Sequence, residues 1–163
     1  MRNIRLLIAT FFGIGRSPLA PGTCASLATI LLVYFIGPYW RAPLYIQLIV
    51  IALVFVVGIP ASGEAEKHFN KKDPGSCVID EVAGQMVALL LVPHQISLYI
   101  AGFFLFRFFD ILKPFPIRRL EKIPGGMGIM ADDILAALYA LALLQLYIYF
   151  FISFTRFPYR NIN

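Results

Sequence analysis

Carboxylate side chains are concentrated in two parts of this sequence, and each part contains two adjacent acids. All nine acidic residues lie within 64–81 and 110–133. The adjacent pairs are Asp80-Glu81 and Asp132-Asp133, and each stands at the start of an apolar run. A helix N-terminus could stabilise one such charge, but adjacent acids also repel each other, and a bound cation relieves that repulsion. Because carboxylate oxygens suit hard divalent cations, the two pairs favour a Mg²⁺ site.

Three further charges are evenly spaced inside a strongly aromatic stretch. Arg107, Asp110 and Lys113 recur every three residues, so in a helix they would lie on one face. A self-neutralising ladder of ion pairs would explain this spacing without any function. Charged residues at a membrane boundary are costly, however, and are functional candidates by default. Such a stripe could bind both a metal ion and a phosphate group.

Two segments rich in glycine and proline could add contacts to phosphate. The segment 125–128 would allow backbone N–H groups to approach an anion, and a flexible loop with helix-capping acids is the alternative interpretation. The segment 13–23 carries no acid and by itself is an ordinary loop. If it folds over the site, Arg16, Ser17 and Thr23 could contact a phosphate group.

The acidic clusters are not accompanied by a histidine-based nucleophile system. His68 and His94 have no serine, cysteine or metal-ligand pattern near them, so we expect solvated or interfacial positions. Mg²⁺ held by carboxylates could polarise a phosphoryl group and activate water. Arginine and lysine could neutralise the charge that develops during transfer. The sequence therefore predicts phosphoryl chemistry, while the nucleophile (water or an aspartate) and the number of metal ions stay open.

The composition places this chemistry in a membrane. Of 163 residues, 60% are hydrophobic and 14% are charged, and the mean hydropathy is +0.78. A soluble domain is about 45–50% apolar and about 25% charged. A protein this small could not bury so much apolar surface, so most of its apolar surface should face lipid. The net charge of +5 fits basic loops beside anionic head groups, and no motif predicts a nucleic-acid partner. Cys24 and Cys77 form no disulfide or zinc pattern and are expected to be free thiols.

The breaks between apolar segments predict an all-α fold, specifically a polytopic membrane helical bundle. No linker divides the chain, so residues 1–163 are expected to form a single domain. The segment 82–109 is interrupted at Pro93 and is predicted to form a hairpin of two short helices, 82–92 and 96–109. The hairpin brings both acidic segments to one membrane face. Most Lys and Arg residues collect there too, which predicts that this face is cytoplasmic.

Four motifs, in this order, resemble the phosphatidylglycerophosphatase A family. They are GIGRSPLAPGT at 13–23, DPGSCVIDEVAGQ at 73–85, FRFFDILKPFPIRRLE at 106–121 and GGMGIMADDILAALYA at 125–140. Cys77 and the run Cys24-Ala25-Ser26 depart from the family pattern, in packing positions rather than in charge. The resemblance implies Mg²⁺-dependent hydrolysis of phosphatidylglycerophosphate to phosphatidylglycerol and phosphate. It also implies an all-helical protein of the bacterial inner (cytoplasmic) membrane; the multi-pass arrangement and an active site facing the cytoplasm are expected from the apolar segments and the basic residues.

The resemblance further implies roles for particular residues. The implied metal ligands are Asp80, Glu81, Asp110, Asp132 and Asp133. The implied catalytic residues are Asp80, Asp110, Lys113 and Asp133. The implied substrate-binding residues are Arg107, Arg118, Ser17 and Thr23.

A small cation-binding membrane transporter is the alternative function, since acids beside apolar helices also suit ion binding. A transporter would place its carboxylates in mid-span, whereas these acids lie at segment ends beside basic residues. The expected partners are therefore the lipid bilayer and a phospholipid substrate. An oligomer is compatible with the sequence as well, because apolar helix faces serve lipid and partner helices alike.

Overall fold

The computed structural model of the chain describes residues 2–37 and 43–156, with 152–156 described by their backbone alone. The fold of these residues is all-α, as predicted, and they contain no β-strand. Their α-helices are α1 (Arg2–Ala9), α2 (Pro21–Phe35), α3 (Leu44–Phe69), α4 (Ile79–Ala88), α5 (Ile96–Leu112), α6 (Ile117–Leu120) and α7 (Gly126–Arg156). A 3₁₀ turn at Ile14–Arg16 precedes α2.

Two helices are long and apolar enough to cross a membrane, namely α3 and the part of α7 from Gly126 to Phe151. Each has 26 residues, which corresponds to about 39 Å of helix against about 30 Å of bilayer hydrocarbon. The shorter α5 carries an outer stripe of exposed apolar side chains, including Ile100, Phe104 and Phe108 at four-residue spacing. Such an apolar exterior is typical of helices that contact lipid rather than water.

The helical hairpin predicted at Pro93 is confirmed. Helices α4 and α5 are joined by a turn at residues 89–95, so the chain reverses direction between them. Helix α4 begins three residues earlier than predicted, at Ile79, and α5 continues three residues further than predicted. The reversal returns α5 to the end of the bundle where α4 starts. An ion pair of 3.7 Å between Arg107 and Glu81 joins these two helix ends.

Neighbouring helices supply hydrogen-bond partners for the hairpin turn, which lies at the end of the bundle opposite the acidic segments. The His94 ring stacks on Tyr34 of α2 with 4.5 Å between ring centroids, and its Nε2 lies 2.9 Å from the Tyr34 carbonyl oxygen. Gln145 of α7 donates from Nε2 to the Leu90 carbonyl oxygen at 2.9 Å. Non-helical backbone at membrane depth requires such partners because lipid offers none. His94 is therefore a structural contact of the turn, away from the acidic segments.

Helix α7 packs against α3, α4 and α5, and glycines permit the closest approaches. A side chain at Gly126 would collide with the backbone oxygen of Ile59 in α3. Gly84 in α4 similarly leaves room for the Phe106 ring and lies near the Asp133 backbone oxygen. Lipid tails are as apolar as the side chains, so close packing rather than hydrophobic burial holds membrane helices together.

Gly126→Ala is expected to destabilise the bundle. The added methyl group would overlap the Ile59 backbone oxygen, so α3 and α7 would have to separate, at a cost of about 1–3 kcal/mol. Thermal unfolding in detergent should show a Tm lowered by about 2–10 °C. Gly75→Ala is the matched control, since a methyl group there meets no atom within 4 Å. An unchanged Tm for Gly126→Ala would contradict the close contact between α3 and α7.

Candidate active site

Three carboxylates from two helices converge at the end of the bundle where the hairpin closes. Asp80 and Glu81 lie in the first turn of α4, and Asp133 lies in the early part of α7. One carboxylate oxygen of each lies within 4.8 Å of the others, and we call these three residues the carboxylate triad. Asp80 and Asp133 are only 5% and 3% exposed. The structure thus brings together three of the acids that the sequence singled out.

The carboxylate triad has unfilled hydrogen-bonding capacity. Asp80 Oδ1, Glu81 Oε2 and Asp133 Oδ2 are buried and have no hydrogen-bond partner within the described parts of the chain. Burial and mutual repulsion both disfavour three negative charges at such short separations. A hard divalent cation would satisfy these oxygens and offset their charge, so the donor set fits Mg²⁺.

The N-terminal ends of two neighbouring helices, α4 and α2, lie at the carboxylate triad. Helix α4 starts where Val78 donates its backbone N–H to the Ala9 carbonyl oxygen at 2.8 Å. Helix α2 starts at Pro21, and a Cβ at Gly22 would collide with Glu81 Oε1. Only glycine permits this close approach of α2 to the carboxylate. The free N–H groups and positive dipole ends of both helices favour anionic groups at this position.

Arg107 and Asp110 flank the carboxylate triad from one face of α5, as their spacing predicted. Arg107 Nη1 is 2.7 Å from Asp110 Oδ2 and 3.7 Å from Glu81 Oε1. Asp110 is also close enough to Asp133 for their charges to repel. The guanidinium therefore links two acids and partly neutralises the site. Its Nε has no hydrogen-bond partner in the described structure, which leaves donor capacity beside the acids.

The prediction that Lys113 extends the same helical face is wrong. Helix α5 ends at Leu112, and Lys113 has a left-handed backbone conformation with φ of 44°. The cause is Pro114, because a proline disfavours helical geometry in the residue before it. Lys113 Nζ instead donates to Asp132 Oδ2 at 2.6 Å and to Glu121 Oε1 at 2.7 Å. Burial opposes protonation, but these hydrogen bonds raise the pKa of Lys113 above its usual value, so it stays cationic.

Asp132 and Asp133 are adjacent in sequence but belong to different groups. Successive residues of an α-helix point about 100° apart, because one turn contains about 3.6 residues. Asp133 therefore belongs to the carboxylate triad, whereas Asp132 points toward Lys113. We call the group of Lys113 with its two acidic partners, Asp132 and Glu121, the lysine bridge. Within the described residues, the five implied metal ligands are thus divided: three form the triad, one pairs with Arg107 and one belongs to the lysine bridge.

A polar cavity of about 450 Å³ opens beside the lysine bridge. Its charged lining residues are Lys72, Asp73, Arg118, Glu121, Lys122 and Asp132. Arg118 is exposed and donates from Nη2 to the Leu112 carbonyl oxygen at 3.3 Å. Three of these six lining residues are basic, and basic side chains form charge-assisted hydrogen bonds with anionic groups.

The two glycine-rich segments reach the site through their backbones. Gly22 brings the first of them against the carboxylate triad. Ser17 Oγ donates to a carbonyl oxygen of its own loop at 3.0 Å, and Thr23 is half-buried in the first turn of α2. Neither hydroxyl is in a described contact with the triad. In the segment 125–128, Gly128 packs against the preceding turn and lines the polar cavity.

Two residues of this region, Glu121 and Gln85, are missing from the sequence-based assignment. Glu121 follows α6 and binds Lys113, and no spacing rule links the two. Gln85 is fully buried, and its Nε2 and Oε1 have no hydrogen-bond partner among the residues described. It lies four residues after Glu81, one helical turn along the same face of α4. That spacing is a signal from which Gln85 could have been found.

Three curated proteins that are similar to the chain carry the names of lipid phosphatases. A curated Haemophilus influenzae phosphatidylglycerophosphatase A is 45% identical over 137 residues, which cover 82% of each chain. The Escherichia coli phosphatidylglycerophosphatase A is 36% identical over 150 residues, 88% of this chain and 83% of the relative. A Bacteroides thetaiotaomicron protein, provisionally named a phosphatidylinositol-3-phosphatase, is 41% identical over 145 residues, 85% of this chain and 90% of its own.

The family match extends over nearly the whole chain. No solved structure gives a significant match. The family model described as phosphatidylglycerophosphatase A matches residues 7–148, a range that includes the carboxylate triad, the lysine bridge and both flanking helices of the hairpin. With this coverage and the identity to curated members, the chain belongs to the phosphatidylglycerophosphatase A family.

Proposed function

We propose that the chain hydrolyses the phosphate monoester of phosphatidylglycerophosphate, giving phosphatidylglycerol and inorganic phosphate, and that it requires Mg²⁺. The observation that carries this proposal is the carboxylate triad, whose three ligand oxygens lie within 4.8 Å of one another beside Arg107. Family membership and the names of the Haemophilus influenzae and Escherichia coli relatives support the same substrate.

Asp80, Glu81 and Asp133 are the residues that would hold the metal. Asp110 and Asp132 lie beside them but are paired with Arg107 and Lys113, so they would adjust the charge of the site. Bound Mg²⁺ supplies Lewis acidity to the phosphoryl group. The three orphaned oxygens, which no hydrogen bond in the described structure satisfies, support this assignment.

The remaining residues would position the substrate and balance its charge. Arg107 is placed to neutralise the phosphoryl oxygens as charge develops on them, which is the principal contribution of cations to phosphoryl transfer. Lys113 and Arg118 lie at the polar cavity or its edge, where the head group would sit. The attacking oxygen comes from water or from an aspartate. If an aspartate attacks, water then cleaves the phospho-aspartate bond and frees the carboxylate. In both cases water supplies the new oxygen of the released phosphate and the proton that the leaving ester oxygen takes up.

We further propose that the protein is a multi-pass protein of the bacterial inner membrane, with this site at the cytoplasmic face. Basic residues gather at the end of the bundle that carries the site, as positive-inside topology requires. Arg5 of α1 pairs with Glu64 of α3 at 3.7 Å, and Lys72 and Arg118 line the polar cavity at the same end.

Asp133→Asn and Asp110→Asn are each expected to lower the rate of phosphate release from phosphatidylglycerophosphate by about 100- to 1,000-fold, because each loses a charge that organises the transition state. Activity is measured in detergent with Mg²⁺ and again with EDTA, which should abolish it. Lys67→Ala, an exposed site on α3, is the control and should keep full activity.

Phosphatidylinositol 3-phosphate tests the alternative head group. Full activity in both variants would refute the site, and a Mg²⁺ flux without hydrolysis in proteoliposomes would favour a transporter.

Mg²⁺ is expected to stabilise the wild-type protein against heat. At about 100 times its Kd a ligand adds about 2.7 kcal/mol, which corresponds to a Tm increase of about 5–10 °C. Asp80→Asn should lose this increase while its metal-free Tm stays equal or rises, because one repelling charge has been removed. Glu66→Gln, an acid of α3 outside the site, should keep the full increase. An equal response of Asp80→Asn and wild type would exclude metal binding by the carboxylate triad.

Lys72→Cys should react with a membrane-impermeant maleimide from the cytoplasmic side only, and Gln95→Cys, at the hairpin turn, should not react from that side. The reagent is applied to right-side-out and inverted vesicles in a Cys24→Ala background. Burial raises the pKa of the Cys77 thiol to about 12, so the remaining native cysteine should stay unlabelled. Labelling of both engineered positions from the same side would overturn the proposed topology.

A further inference from the structure

A second cavity, with a volume of about 460 Å³, forms an apolar groove between helices α1, α2, α3 and α4. All but one of its lining residues are apolar. It shares no lining residue with the polar cavity beside the lysine bridge. Leu32 of α2 and Val50 of α3 line it and are also exposed at the outer surface of the bundle. The groove is therefore open sideways, toward the space that lipid would occupy.

One end of the groove lies at the first turn of α4, the turn that carries two acids of the carboxylate triad. Ile79 and Val82, which line the groove, immediately precede and follow the two α4 acids of the triad. The lining of the groove runs from Ile79 to Met86 along α4 and from Ile46 to Val54 along α3. These stretches of seven and eight helical steps are about 10–12 Å long. One leaflet of hydrocarbon is about 15 Å deep, half of the 30 Å core, so the groove covers most of that depth.

Two strained aromatic residues lie at the end of the groove next to α4. Phe11 and Phe12 both line it, and both have left-handed backbone conformations, with φ of 42° and 55°. Bulky side chains rarely adopt this conformation, and such strain is retained where it places a group for function. The preceding segment is fixed to the start of α4 by the hydrogen bond between Ala9 and Val78. The strained segment thus contributes two aromatic side chains to the lining of the groove, near the start of α4.

We propose that this groove holds one acyl chain of the lipid substrate while the phosphate ester lies at the carboxylate triad. The inference rests on the proposed function and adds a subsite to it. The groove is apolar, opens to lipid, begins at the helix end that carries the triad acids and runs about 10–12 Å along the bundle, so its occupant is a hydrocarbon chain that enters from the bilayer. The protein thereby recognises the substrate at two separate surfaces: the polar cavity binds its head group, and the groove binds its acyl chain.

Tryptophan substitutions test the groove with matched controls. Leu32→Trp and Val50→Trp would fill it, whereas Leu31→Trp and Leu53→Trp place the same ring on the outer surface of the same helices. We expect the groove variants to lower kcat/KM for dioleoyl phosphatidylglycerophosphate in mixed micelles by about fivefold. The change is modest because the chain leaves a lipid phase that is equally apolar, and only packing contacts are lost. The dihexanoyl substrate should be unaffected, and the controls should match wild type for both substrates.

A binding measurement separates this inference from the proposed function. Phosphatidylglycerol with a photoreactive group near the end of one acyl chain should crosslink to Val50 and Val54 in the wild type, and Leu32→Trp, but not Leu31→Trp, should reduce that crosslinking. Equal effects of groove and control variants on both readouts would overturn the acyl-chain subsite, as would protection of the groove by a second copy of the chain. Lack of phosphate release by wild type together with groove-specific crosslinking would refute the phosphatase and leave the lipid subsite standing.

Discussion

Negative charge buried at the end of an apolar bundle is the constraint that the rest of this structure accommodates. The three triad oxygens lose hydration and repel one another. Arg107, Lys113 and the N-terminal ends of α2 and α4 surround these acids with positive potential. The hairpin makes this gathering geometrically possible. If residues 79–112 formed one straight helix, Asp110 would lie about 45 Å from Asp80, and its pairing with Arg107 could not contribute to the site.

The features that depend on local rules could be predicted from the sequence. Pro93 interrupts an apolar run that is too long for one short helix, and the requirement for both acidic segments at one face selects the hairpin. Three-residue spacing correctly places Arg107 and Asp110 on one helical face. The same rule fails at Lys113, because Pro114 ends the helix before the pattern does. Regular spacing of charged residues does not show where a helix ends. The residues that follow, here a proline, must be considered as well.

The features that depend on tertiary contacts could not be predicted in the same way. Glu121 joins Lys113 only because α6 and α7 fold back beside the end of α5. The sequence alone does not show why glycine stands at 22 and 84, yet each of them marks a place where a second element approaches too closely for a side chain. In a bundle surrounded by lipid, such small residues carry much of the packing. Their importance becomes visible only when the opposing surface is known.

The positions of the two adjacent aspartates of α7 limit where residues can be inserted or deleted in this family. One of them belongs to the carboxylate triad and the other to the lysine bridge, and a single helix fixes the angle between them. The start of that helix is in turn fixed by the contact of Gly126 with α3. One inserted or deleted residue between that contact and the aspartates would rotate both by about 100°, removing each from its partners at once. The spacing from the glycine to the acid pair is therefore a fixed length, more tightly constrained than the identity of the apolar residues between them.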